Sequence, residues 1–242
     1  MYIRNEGDSF QKRLKLFPNL QEAYEKQFIM ASNFTYYIEN VSVNHPKRAY
    51  AMRAKLEASG NAGRLAGLIF AGKLDYPYTI FTGANSIPFS QYVRWEYDIR
   101  SYLHFTQNAT WANRLFVGMG IPYGNSKVLP FTKQYTAGGG YSNRGFQERS
   151  LGPGSYKADD AATARSFFQT GEMKIEMNTE LRFGLWRWFK GAIYADAGNV
   201  WNIRDDVNKT DDVFQFKNLY KEIALSSGIG VRGDFSYFVF AI

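Results

Sequence analysis

Between Phe89 and Phe105 the side chains change character at every second position. Odd positions carry Phe89, Gln91, Val93, Trp95, Tyr97, Ile99, Ser101, Leu103 and Phe105; even positions carry Ser90, Tyr92, Arg94, Glu96, Asp98, Arg100, Tyr102 and His104. Successive side chains of a β-strand point to opposite faces, so this pattern predicts a strand with one apolar and one charged face. At about 3.3 Å per residue it runs on the order of 50 Å, whereas strands of soluble domains usually have about 5–6 residues. The apolar face of so long a strand needs either a second sheet of equal length or lipid against it.

The signature recurs. Gly171 to Phe183 sets Met173, Ile175, Met177, Leu181 and Phe183 against Glu172, Lys174, Glu176, Asn178, Glu180 and Arg182. Thr110 to Ile121 sets Trp111, Leu115, Val117, Met119 and Ile121 against Thr110, Ala112, Arg114, Gly118 and Gly120. Tyr50 to Ser59 sets Met52 and Leu56 against Arg53, Lys55 and Glu57. Phe28 to Ile38, Gly191 to Trp201 and Leu219 to Val231 alternate less strictly, and Phe235 to Ile242 begins another strand. The reading is all-β, with about eight antiparallel strands and no helix.

Connection lengths alternate too. Residues 106–109, 184–188 and 232–234 are short, while 60–88, 122–170 and 202–217 are long. Short turns on one rim and long loops on the other describe an up-and-down transmembrane barrel. Phe183, Trp186, Trp188 and Phe189 cluster at one strand end, and Trp201 and Phe214 at another, as expected of aromatic girdles at a membrane interface. A soluble β-sandwich with its charged faces in water is the alternative. Mean hydropathy of -0.37 and the lack of any apolar run near 18 residues exclude a transmembrane helix but not a barrel, whose two faces average out.

The rest of the composition removes chemistry. With 0 Cys there are no disulfides or thiolate sites, and the 2 His, His45 and His104, have no metal-ligand spacing. Neither a catalytic residue, a metal nor a cofactor is expected. The net charge of +7 is dispersed among acids, which disfavours a nucleic-acid partner. Gly228, Gly230 and Gly233 spell G-x-G-x-x-G but precede a strand rather than a helix, so they read as small residues facing a crowded lumen. Glu96 and Asp98 interleave with Arg94 and Arg100 as a charge ladder, and Asp159 and Asp160 as solvated loop acids.

One segment resists that treatment. Residues 138–156, GGGYSNRGFQERSLGPGSY, are glycine-rich and lie within the longest loop. Arg144, between Asn143 and Gly145, presents a guanidinium whose fork suits carboxylates and aromatic faces. Glu180 on one later strand, and Tyr194 and Asp196 on the next, offer both from polar faces; a solvated loop arginine is the competing reading.

This segment resembles the signature loop of the outer-membrane protein assembly factor family, the BamA/TamA-like barrels: a Gly-rich entry, an Arg-Gly-Phe core and a Gly-Pro turn. GEMKIEMNTELRF, GAIYADAGNVW and FKNLYKEIALSSGIGVRGDFSYFVF resemble the three strands that follow it, in a Bacteroidetes-like style. The resemblance runs from about residue 25 to the end. It implies that residues 1–242 are the C-terminal part of a sixteen-stranded outer-membrane barrel with its final strand missing, and that 122–170 is an extracellular loop folded back into the lumen. Arg144, Gly145 and Phe146 then match the loop core, and Glu180, Tyr194 and Asp196 the lumenal positions that hold it. Asn143 departs from the family, which has an aliphatic residue there. The start carries neither a signal peptide nor soluble periplasmic repeats, so the sequence reads as a fragment.

The implied function is the folding and insertion of other β-barrels, or protein translocation, with no enzyme activity. Implied partners are outer-membrane lipid, unfolded outer-membrane proteins, and periplasmic factors that act through the missing repeats. A passive porin or transporter barrel is the alternative, and a soluble β-sandwich binding module a third reading.

Overall fold

The computed structural model describes residues 26–40, 47–62, 65, 79–80, 87–156, 169–186, 188–204, 212–235 and 238–241. Eight strands form one antiparallel sheet: β1 (Ala31–Glu39), β2 (Arg48–Ser59), β5 (Tyr92–Thr106), β6 (Ala109–Pro122), β7 (Met173–Trp186), β8 (Phe189–Trp201), β9 (Ala224–Phe235) and β10 (Phe238–Ala241). They pair in that order, each with its neighbour in the chain. A two-stranded ribbon of β3 (Thr79–Ile80) and β4 (Ile87–Pro88) lies within the connection from β2 to β5. Among the described residues the sheet is not closed: β1 pairs only with β2, and β10 only with β9.

Polarity is inverted relative to a water-soluble sheet. On the charged faces Asp98 is 3% exposed, Asp196 2% and Glu176 1%. On the apolar faces Ile193 is 52% exposed, Leu225 73% and Ile229 81%, with Trp111, Leu115, Met177 and Leu181 alongside them. In water this arrangement would strand apolar surface and bury charge; in a bilayer the outer face meets its own solvent. A sandwich requires a second full sheet over the apolar face, and the β3–β4 ribbon is the only other sheet among the described residues.

The long connections β2–β5, β6–β7 and β8–β9 leave one rim, as the spacing predicts, and the short connections β5–β6 and β7–β8 leave the other. Charge ladders also form as read: Arg94 pairs with Glu96 at 2.6 Å and Arg100 with Asp98 at 3.1 Å. His104 Nδ1 is 2.9 Å from the Thr110 hydroxyl, a structural hydrogen bond. His45, Asp159 and Asp160 lie outside the described residues.

Three expectations need correction. Leu219 does not begin a strand: Phe216–Asn218 is a 3-10 turn and α1 (Leu219–Glu222) follows, with β9 starting only at Ala224. The bend serves contacts. It places Glu222 so that Trp201 Nε1 donates to its carboxylate at 2.6 Å and Asn199 Nδ2 donates to its carbonyl at 2.6 Å. Secondly, β9 runs through the presumed turn 232–234, because Gly233 sits in register between Phe189 and Phe240. Thirdly, Trp201 is not an interfacial girdle residue: it is 0% exposed, edge-on to Phe214 at 5.5 Å under the rim loops. At the other rim Trp186 and Trp188 are exposed as a girdle requires.

The interior is completed by the long loop. Tyr135, Ala137 and Leu151 from the loop join Phe116 of β6 and Val200 of β8 in one buried apolar cluster, with Phe146 and Ala224 against it. Glycines on β6 make room for it. A Cβ at Gly118 would stand 2.7 Å from the Tyr135 ring, and one at Gly120 would overlap Leu129. Similarly a Cβ at Gly228 would stand 2.5 Å from the Tyr194 hydroxyl, so that glycine faces a crowded lumen as its sequence context suggested.

Candidate functional site

Arg144 lies at the tip of the loop segment that descends onto the charged face of β7, β8 and β9. Its backbone N–H donates to Asp196 Oδ2 at 3.0 Å, its Nε to the same oxygen at 2.8 Å, and an Nη to Asp196 Oδ1 at 2.8 Å. The other Nη donates to Glu180. The guanidinium carbon stands 3.7 Å from the Tyr194 ring centroid. One side chain is therefore held by a two-point fork, a second carboxylate and an aromatic face, and the solvated-loop reading of Arg144 does not apply. Burial works to lower the Arg144 pKa, but the hydrogen bonds and charges of Asp196 and Glu180 outweigh it and hold the guanidinium above its ordinary value.

Local sequence explains the geometry. Period-two alternation puts Glu180 and Asn178 on one face of β7 and Tyr194 and Asp196 on the same face of β8, where Glu180 pairs with Tyr194 and Asn178 with Asp196 across the strands. Asn178 Nδ2 donates to Asp196 Oδ1 at 3.0 Å and to the Ser142 carbonyl at 2.7 Å, tying acceptor and loop together. Gly145 is needed for close approach, since a Cβ there would overlap Ser226. Its N–H donates to the Ser226 hydroxyl at 3.2 Å. Phe146 turns away from the clasp into the apolar cluster.

Asn143 now has an account. It is 0% exposed; its Nδ2 donates to the Ala224 carbonyl at 2.9 Å, and its Oδ1 accepts from the Ser226 hydroxyl at 2.5 Å. A polar residue in this buried position is matched by a polar partner on β9, as buried amides require. Ser226 was missed in the sequence, although it shares strand parity with Gly228 and so faces inward.

Around the clasp the carboxylates are occupied. Asp98 accepts two hydrogen bonds from Arg100, both 3.1 Å, and two from Arg114, both 3.2 Å. Glu176 accepts from Arg114 at 3.3 Å, pairs with Lys174 at 3.1 Å, and takes the Ser142 hydroxyl from the loop. Every acid here is fixed by cations, which suits a brace and not proton transfer. Among the described residues no three His, Asp or Glu side chains are placed to hold a metal ion.

At the loop rim Glu172 anchors the collar. It accepts the N–H of Leu129 at 3.2 Å and of Ile203 at 3.3 Å, and is 4% exposed. Burial pushes its carboxyl up to about 7, against the pull of those two donors and of Arg204. A folded pKa raised above the unfolded value gives stability that is complete below about 4.5 and lost as pH rises through about 7. Ionisation should weaken the collar by about 3 kcal/mol. Hydrogen exchange of the Leu129 and Ile203 amides should therefore accelerate between pH 5 and 8 beyond its intrinsic pH dependence, and Glu172→Gln should abolish that excess. An unchanged excess in the variant would refute the assignment.

Residues 66–237 match the Omp85 superfamily domain, most of the chain. The chain belongs to the Omp85 superfamily. Its members are outer-membrane β-barrel proteins that work in outer-membrane protein assembly or translocation. Over 136 residues, 49% of this chain, the sequence is 29% identical to the outer membrane protein assembly factor BamA of Neisseria meningitidis serogroup B (strain ATCC BAA-335 / MC58). It is also similar to the crystal structure of BamA from Haemophilus ducreyi lacking POTRA domains 1-3, with a TM-score of 0.47 and 16% identity over 91% of this chain. The Omp85 chain described here spans 17% of the Neisseria protein and 52% of the Haemophilus structure.

Proposed function

We propose that this Omp85 chain is part of a factor that inserts unfolded β-barrel proteins into the outer membrane or translocates partner proteins across it, with residues 122–170 as an extracellular loop that braces the lumen. The observation that carries this reading is the Arg144 clasp: a partly buried, multiply bonded arginine, paired with the buried Asp196, fixes a long loop to the inner wall of the sheet. A factor that adds strands at a sheet edge needs a wall that keeps its shape while pairing at that edge is exchanged. Ties from the loop tip to β7, β8 and β9 supply that rigidity. Clients would be unfolded outer-membrane proteins, with periplasmic partners engaging the rest of the full-length protein. Between an assembly factor, a TamA-like translocation module and a two-partner secretion pore, the relative named an assembly factor supports the first.

Reconstitution of the full-length protein in liposomes tests this. It should accelerate the folding of an unfolded barrel client well above the rate in empty liposomes. Steady ion conductance with no effect on client folding would instead identify a passive porin-like or transporter barrel.

A further inference from the structure

Eleven residues before Arg144, the loop also meets the charged face of the sheet at β2. Phe131–Lys133 forms a 3-10 turn soon after the loop leaves β6, and Lys133 Nζ stands 2.6 Å from Glu57 Oε1 on β2. The same oxygen accepts the Tyr92 hydroxyl of β5 at 2.6 Å, and Lys55 Nζ stands 3.1 Å from Oε2. Glu57 is 3% exposed. A carboxylate so buried stays ionised only where donors replace water, and the loop supplies one of its three. Two residues after Lys133, Tyr135 occupies the slot above Gly118, donates its hydroxyl to the Trp95 carbonyl at 3.3 Å, and faces the Arg94 guanidinium carbon at 4.4 Å.

We infer that Glu57, with Tyr92, is a second anchor for the loop, holding Lys133 independently of the Arg144 clasp, so that the loop straps β2 to the β7–β9 wall. In the sheet order β5, β6, β7 and β8 lie between β2 and β9. A loop tied at one point can pivot about it. A loop tied at both ends of such a span opposes any change of curvature between the tied strands, because one tie must break first. Glu57, Lys133 and Tyr92 are positioning residues on this account, and the inference rests on the brace reading proposed above.

The two ties predict separable loosening in the full-length protein, read by hydrogen exchange at 131–137 and at 139–146. Lys133→Met keeps the apolar stem and removes the charge. It should accelerate exchange at 131–137 by about tenfold while leaving 139–146 within about twofold of wild type. Lys133→Arg should restore protection, since it restores the charge. Arg144→Ala should give the opposite pattern. Wild-type exchange at 131–137 in Lys133→Met, failure of Lys133→Arg to restore it, or loosening of both segments together in every variant would each overturn the second anchor. Client folding by the same variants separates the two readings. If exchange responds as stated while neither variant changes client folding, the anchor stands and the assembly role of the brace falls. If Arg144→Ala slows client folding but Lys133→Met leaves 131–137 protected, the brace stands and the anchor falls.

Discussion

Arg144→Ala in the full-length protein should undock the loop tip at a cost of about 3–5 kcal/mol, the usual penalty for leaving a buried charge unpaired. The side chain of Asp196 is 0% exposed, and Arg144 is the only cation paired with it among the described residues. Asn178 would remain as a donor, but a neutral amide cannot balance the charge. Glu180 would fare better, because Arg182 holds its other oxygen at 2.7 Å. The heat-modifiable mobility of the folded barrel should fall to lower temperature, and client folding should slow with it. A cycle of Arg144→Ala, Asp196→Ala and the double variant should give a coupling of about 1–3 kcal/mol. Strict additivity, or wild-type mobility for Arg144→Ala, would remove the clasp from the mechanism.

The outer face makes the other large prediction. Ile193 is 52% exposed on β8, next in sequence to Tyr194, which points the opposite way into the site. Ile193→Arg should lower barrel stability by about 2–4 kcal/mol if that face meets the middle of a bilayer. On a soluble sheet the same substitution at a half-exposed position should change stability by less than about 0.5 kcal/mol. Urea unfolding in lipid vesicles distinguishes the two, and a neutral result would return the fold to a water-soluble sheet.

Much of this was legible from parity. Alternation placed Glu180, Tyr194 and Asp196 on inward faces, and the loop arginine found all three. It also set Trp111, Leu115, Met177 and Leu181 on the apolar faces, where they are exposed. Parity fails where a strand ends beneath a loop. Trp201 reads as one more rim aromatic, yet Glu222 from α1 and Phe214 cover it, and neither is near it in sequence. The partners of Asn143 and Lys133 were hidden for the same reason: Ser226 and Glu57 become neighbours only once the sheet has set its register. Local pattern encodes which way a residue points, whereas what it meets depends on distant chain.

The seat of the loop is drawn from both sides of it in the chain. The loop lies between β6 and β7, so Phe116 and Gly118, against which Tyr135 packs, precede it in the chain, as does Glu57. Asp196, Val200 and Ser226 all follow it. The upstream part of the seat needs β2, β5 and β6 to be paired, and the downstream part needs β8 and β9 paired onto β7. The segment that fills the lumen is thus held by strands on both sides of it in the chain, and the Arg144 lock doubles as a record that the later strands are in place.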